Sequence, residues 1–212
     1  MKELQPSQEL LYLLAEYHRA GGVIDYALID PGRVGSSSEI HREAAVFGLR
    51  AISAREIFPP DYRAVTIGPL TFSLPGWTWL WKRKKLTHTV SDYFWPGQEL
   101  TFHVERLKGT RIEIETFLNG GDSCDFVTKG YKSAFYRPPY PMELPASRMD
   151  SLYRSMNERL FRNLKQVNEI YNWSTDWSSY FDQGHEWWGA FLWTGQRDQN
   201  SPIVWMGASA SD

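Results

Sequence analysis

The sequence holds a single cysteine in 212 residues. Cys124 has no partner for an intramolecular disulfide and cannot build a cysteine-based metal site, so a fold stabilised by its own core in a reducing compartment is expected. Charge of one sign is also lacking. Twenty-three Lys and Arg stand against 25 Asp and Glu, a net charge of -2, which leaves no large positive field and disfavours a nucleic-acid partner held by phosphate neutralisation. No stretch approaches the roughly 20 apolar residues of a membrane span. Residues 1–14 carry Glu3 and Glu9 and no continuous apolar region of signal-peptide type, and a cytoplasmic location is the expectation. No Gly-x-Gly-x-x-Gly follows a strand and no Gly-Lys-Ser/Thr loop is present, so no nucleotide or other cofactor is expected. Ser36, Ser37 and Ser38 lack the glycine frame of a nucleophile elbow.

What is present is an ordinary globular composition, 42% hydrophobic and 23% charged, enough to offset the entropy of ordering the chain. No polar or Pro/Gly-rich linker divides it, so residues 1–212 are read as a single domain. Pro6 and Ser7 precede an apolar stripe of Leu10, Leu14 and Tyr17 that Gly21 and Gly22 stop, which predicts a first helix. A strand over 23–29 closes at Asp30, Pro31 and Gly32. Ser36 to Ser38 then cap a second helix that turns Ile40, Ala44, Phe47 and Ile52 inward, with His18 and His41 as surface or interhelical polar groups. Pro59 and Pro60 end it. Short strands are expected at 65–67 and 70–74, followed by the basic run Lys82 to Lys85 after Trp77, Trp79 and Trp81. That run reads as a solvated loop, with a lipid-headgroup or single-strand contact as the alternative.

Alternation of Phe102 and Val104 with His103 and Glu105, and of Ile112 and Ile114 with Glu113 and Glu115, predicts a hairpin with a three-residue loop at 108–110. A turn at 119–122 and a strand over 126–136 would complete a meander, and a proline-rich connector follows. The spacing of Met149, Leu152, Met156, Leu160, Leu164, Val167 and Tyr171 predicts one long helix over 149–171. A final hairpin, 187–194 with 203–208, is apolar on both faces. Helices and strands do not alternate regularly, which favours an α+β fold with a mostly antiparallel sheet, N-terminal helices and one long helix before the C-terminal hairpin.

Two constellations could carry chemistry. In the predicted hairpin His103 lies opposite Glu115 and Glu105 opposite Glu113, a like-charge pairing that costs stability unless Arg106, Arg111, a metal or a basic partner offsets it. In the turn after Trp177, Asp182, His185 and Glu186 stand beside aromatic rings. Asp182 and Glu186 tying down the turn while the aromatics fill the core, a partner-binding surface, and an acid/base or sugar-stacking site are the readings open to them.

The stretch Asp176-Trp177-Ser178-Ser179-Tyr180-Phe181-Asp182-Gln183-Gly184-His185-Glu186-Trp187-Trp188-Gly189, with Phe191, Trp193 and the closing 207–212, resembles the C-termini of small bacterial proteins, some of the toxin-immunity type. The resemblance implies a protein that neutralises a cognate toxin domain by stoichiometric contact. His103, Glu105, Glu113, Glu115, Asp182, His185 and Glu186 would supply the partner-binding surface, and a basic nuclease would suit it. No metal and no catalytic residue is implied. The alternative is a small hydrolase or carbohydrate-active enzyme using Asp182, His185 and Glu186 beside stacking tryptophans.

Overall fold

In a computed structural model, residues 1–32, 35–56, 100–120, 130–139, 141–186 and 188–210 are described. The expected strands at 65–67 and 70–74, the tryptophan–lysine stretch at 77–85, Cys124 and Trp187 lie outside them. Six strands, β1 (Lys2–Leu4), β2 (Asp25–Asp30), β3 (Gly109–Arg111), β4 (Glu169–Trp173), β5 (Gly189–Gln196) and β6 (Ile203–Ala210), form one antiparallel sheet in the order β1-β2-β6-β5-β4-β3. With the helices packed on it, this is the α+β architecture expected. No helix among the described residues is long and apolar enough to cross a membrane.

The sheet is covered on both faces, which explains why its central strands are apolar throughout. Along β6, Val204, Met206 and Ala208 turn to one face and Ile203 and Trp205 to the other; along β5, Phe191 and Trp193 oppose Leu192. The two-residue period of a strand divides each apolar run between two cores. The first core is closed by α1 (Gln8–Arg19), α3 (Ile114–Asn119), α4 (Tyr131–Tyr136) and α5 (Ala146–Phe161). The second is closed by α2 (Ser37–Glu56) and a 3₁₀ turn at Ser179–Phe181. The hairpin of β5 and β6 is as expected, with Phe191 opposite Ala208 and Trp193 opposite Met206. Ser7 caps α1 by accepting from the Leu10 amide at 3.2 Å. The pairs Arg148–Glu16 and Arg159–Glu9 tie α5 to α1 at the surface.

Three local expectations fail, each for a physical reason. The hairpin at 102–115 does not form. β3 pairs with β4 instead, setting Thr110 opposite Asn172, while Val104–Arg106 make a 3₁₀ turn and Ile114 begins α3. Ile114, Phe117 and Leu118 have helical spacing as well as a place in the alternating pattern, and burial of Phe117 in the first core decides between them. The expected strand at 126–136 is helical over its described part, because Tyr131, Ala134 and Phe135 bury together at one helical face. The long helix stops at Phe161. Arg162 takes φ 60°, and the Asn163 side chain accepts from the Lys165 amide at 3.0 Å, a local bond that competes with the helix. Val167 to Tyr171 then lead into and form β4.

All five described tryptophans, Trp173, Trp177, Trp188, Trp193 and Trp205, are buried. Trp205 packs against α2, where a Cβ at Gly48 would overlap its indole ring. Gly48→Ala is accordingly expected to lose roughly 1–3 kcal/mol in urea unfolding, although the same change on an exposed helix surface gains about 1 kcal/mol.

Candidate functional sites

The structure splits the sequence-predicted site residues between three places. The segment 101–108 runs along 174–179, held by the His103 amide on the Trp177 carbonyl at 2.6 Å, by the Ser174 amide on the Lys108 carbonyl at 2.7 Å, and by a bridge from Phe102 to Ser178. His103 and Glu105 project from it into solvent, 49% and 72% exposed, with His103 Nδ1 at 3.5 Å from Glu105 Oε1. Glu113 and Glu115 lie on the far side of β3. Glu113 is the residue before α3 and Glu115 sits in its first turn, accepting from Asn119 Nδ2 at 3.1 Å. Carboxylates are favourable at a helix N-terminus, and the expected like-charge pairing of Glu105 with Glu113 does not arise. The exposed cations Arg106, Lys108 and Arg111 also intersperse Glu105, Glu113 and Glu115, so this strip has no net charge.

The third place is α6 (Asp182–Glu186), which replaces the expected turn. Ser178 caps the preceding 3₁₀ turn, and the Gly184 amide donates to Ser209 Oγ at 3.0 Å. Gly184 is buried, and a Cβ there would overlap the Gly189 carbonyl, so the helix backbone sits directly on the sheet. His185 Nε2 meets Thr175 Oγ1 at 2.7 Å and fastens α6 to the preceding turn. Asp182, His185 and Glu186 are exposed, and among the described residues no hydrogen bond or ion pair joins any two of them. Asp176, exposed on the turn that His185 fastens, Asp182 and Glu186 likewise have no cationic partner among the described residues. The result is a ledge bearing three carboxylates with no counter-charge among the described residues.

A further constellation joins residues far apart in sequence, and it contains a residue expected at a surface or between helices. His41 is 0% exposed, beneath α2 and against β4 and β5. Its ring packs on Tyr171 at 4.7 Å between centroids, and its Nδ1 lies 2.8 Å from Thr194 Oγ1, which also accepts from Trp173 Nε1 at 2.8 Å. An indole nitrogen can only donate. The buried Thr194 hydroxyl is left with His41 Nδ1 as the acceptor for its own proton, and this assigns the ring proton of neutral His41 to Nε2. That Nε2 faces Glu169 Oε2 at 3.5 Å but completes no hydrogen bond. Ser37, at the start of α2, donates to the same Glu169 oxygen and lies 3.2 Å from the Tyr171 hydroxyl. Burial lowers the His41 pKa to about 4; Arg111 pushes the same way, while Glu169 and Gln196 oppose the shift. One signal in the sequence marks His41: it shares the helical face of Ala44, Ala45, Gly48 and Ile52, and so faces the core.

Asp25 forms a third polar cluster. It accepts from the Tyr180 hydroxyl at 2.9 Å and lies 3.9 Å from His18 Nε2, while His18 Nδ1 engages the Gly22 carbonyl at 3.1 Å. Burial raises the Asp25 pKa, with His18 and Tyr180 opposing the shift. Both ring nitrogens of His18 are thereby directed inward, toward Gly22 and Asp25, as suits a brace between α1 and β2.

No known protein family matches the sequence, and comparison with curated proteins and with solved structures finds no similar protein.

Proposed function

We propose that this chain is an immunity-type protein that binds a cognate toxin domain one to one and blocks it, with the α6 ledge at the centre of the contact. The observation that carries this reading is the set of exposed carboxylates Asp176, Asp182 and Glu186, with no cationic partner among the described residues, on a helix held to β6 at Gly184 and on the preceding turn that His185 fastens to it through Thr175. A rigid ledge loses little entropy on docking, and unpaired carboxylates steer a basic partner and match its cations. His103 and Glu105, on the segment bridged to Ser178, extend the same surface. Glu113 and Glu115, set among nearby cations at the start of α3, with Glu115 accepting from Asn119, contribute less.

Co-expression with the product of the adjacent upstream gene tests the reading. A one-to-one complex that survives purification, together with growth of cells that the toxin alone arrests, is the expected result. Absence of a complex at micromolar concentration, with no protection of the cells, would sink it. The acid/base alternative is not favoured, because Asp182, His185 and Glu186 share no hydrogen bond and His185 is engaged by Thr175.

A further inference from the structure

His185 stands in the middle of the ledge. On α6 it follows Asp182 by three positions and precedes Glu186 directly, so it shares a helical face with Asp182. Its Nε2 contact with Thr175 Oγ1 at 2.7 Å brings the ring to the preceding turn, where Asp176 is the next residue. His185 and the three carboxylates are all exposed.

The elements packed against α6 add no further charge beside this ring. β5, β6 and the 3₁₀ turn Ser179–Phe181 contain no Asp, Glu, Lys, Arg or His, and the Tyr180 hydroxyl is donated to Asp25. The segment 101–108, which runs along the turn, carries His103, Glu105, Arg106 and Lys108. His103 is drawn to Glu105, and Arg106 and Lys108 lie beside Ser174, engaging it through their carbonyls. Among the described residues, the charge that His185 meets on the ledge is therefore that of Asp176, Asp182 and Glu186.

The contact with Thr175 suits both protonation states of the ring. A neutral ring accepts from the Thr175 hydroxyl at Nε2 or donates to it, and an imidazolium donates Nε2–H to the same oxygen. A proton on His185 thus changes the charge of the ledge without undoing its fastening. Histidine is also the side chain whose charge changes between about pH 5 and 8.

We infer that His185 is a proton-operated switch on the partner surface: neutral, it leaves the three carboxylates to the cations of a basic partner, and protonated, it engages their field itself and weakens the contact. The inference rests on the toxin-binding reading, because the proton must compete with a basic partner. Linkage makes the competition reciprocal, so a bound partner also opposes protonation of His185.

Calorimetric titration of the full-length protein with the purified product of the adjacent upstream gene, at about pH 7.5 and about pH 5.5, tests the switch. The proteins compared are the wild type, His185→Gln and His185→Arg. Glutamine keeps a hydrogen-bonding group for Thr175, and arginine is charged at both pH values. On acidification the wild type should lose about fivefold or more in affinity beyond the loss shown by His185→Gln. Titrations elsewhere, those of His103 and of the partner included, are common to both proteins. At the higher pH His185→Arg should bind at least about fivefold more weakly than His185→Gln. Equal pH dependence of the wild type and His185→Gln, or equal affinity of the two variants at the higher pH, would overturn the switch and leave toxin binding intact. Absence of a complex at the higher pH would remove both.

Discussion

Lowering the pH from 7 to 4 is expected to remove about 3 kcal/mol of stability through His41 alone, at roughly 1.4 kcal/mol per pH unit of displaced titration. In the folded protein His41 titrates at about 4, against 6.5 for an unburied histidine. Between those values the unfolded chain binds a proton that the folded chain refuses, so protons favour unfolding. The contribution is fully present above pH 6.5 and is lost as the pH falls toward 4. Asp25 acts in the opposite sense: its raised pKa makes its contribution fall as the pH rises above the ordinary carboxyl range. Other carboxylates also titrate in acid, so the measurement is a difference. Urea unfolding of the wild type and of His41→Gln at pH 7, 5.5 and 4.5 should give curves that converge on acidification, because the variant lacks the titrating ring. Parallel curves would show that His41 is not held neutral.

Replacing Trp205 by alanine is expected to cost roughly 3–5 kcal/mol, the range for a large aromatic removed from a core. Trp205 is 0% exposed at the centre of β6, fills the space above Gly48, and donates from Nε1 to the Ala45 carbonyl at 2.9 Å. Against a total stability of about 5–15 kcal/mol for a domain of ordinary size, such a loss leaves a protein close to its unfolding threshold. Trp205→Phe should lose less, and should also relieve Gly48→Ala, so that the double variant is less destabilised than the sum of the singles. Denaturant midpoints for the four proteins check both statements. Asp176→Asn provides the surface control, expected to stay within about 0.5 kcal/mol of the wild type.

The sequence was most legible where one pattern admitted one structure. The stripe of Leu10, Leu14 and Tyr17 behind a serine cap could only be an amphipathic helix, and strands apolar on both faces required cover on both sides, which α2 and the α1–α5 layer provide. It was least legible where short apolar runs fit two periods at once. Ile112, Ile114 and Phe117 obey alternation for three residues and helical spacing for the next four, and only the depth of the first core at Phe117 separates the two. Tyr171 continues the helical frame of Leu160 and Leu164 by coincidence; the break at Arg162 and Asn163 has no strong local marker such as Gly or Pro.

The site residues divide in the same way. Asp182, His185 and Glu186 are visible as a dense polar string, and their exposure on a short helix follows from Gly184 being drawn down onto the sheet. The assembly of Ser37, His41, Glu169, Tyr171 and Thr194 is invisible locally, since 132 positions separate Ser37 from Glu169. Only the position of His41 within an apolar helical stripe announces that a polar ring must be accommodated inside.

The most direct test of toxin binding is a calorimetric titration of the toxin domain with the wild type and with the triple variant Asp176→Asn, Asp182→Asn, Glu186→Gln. A one-to-one complex, weakened at least about tenfold in the triple variant with unfolding midpoints unchanged, is the predicted result. Equal affinity of the two proteins would contradict a contact centred on the α6 ledge, and absence of a stoichiometric complex with the wild type would contradict the immunity function itself.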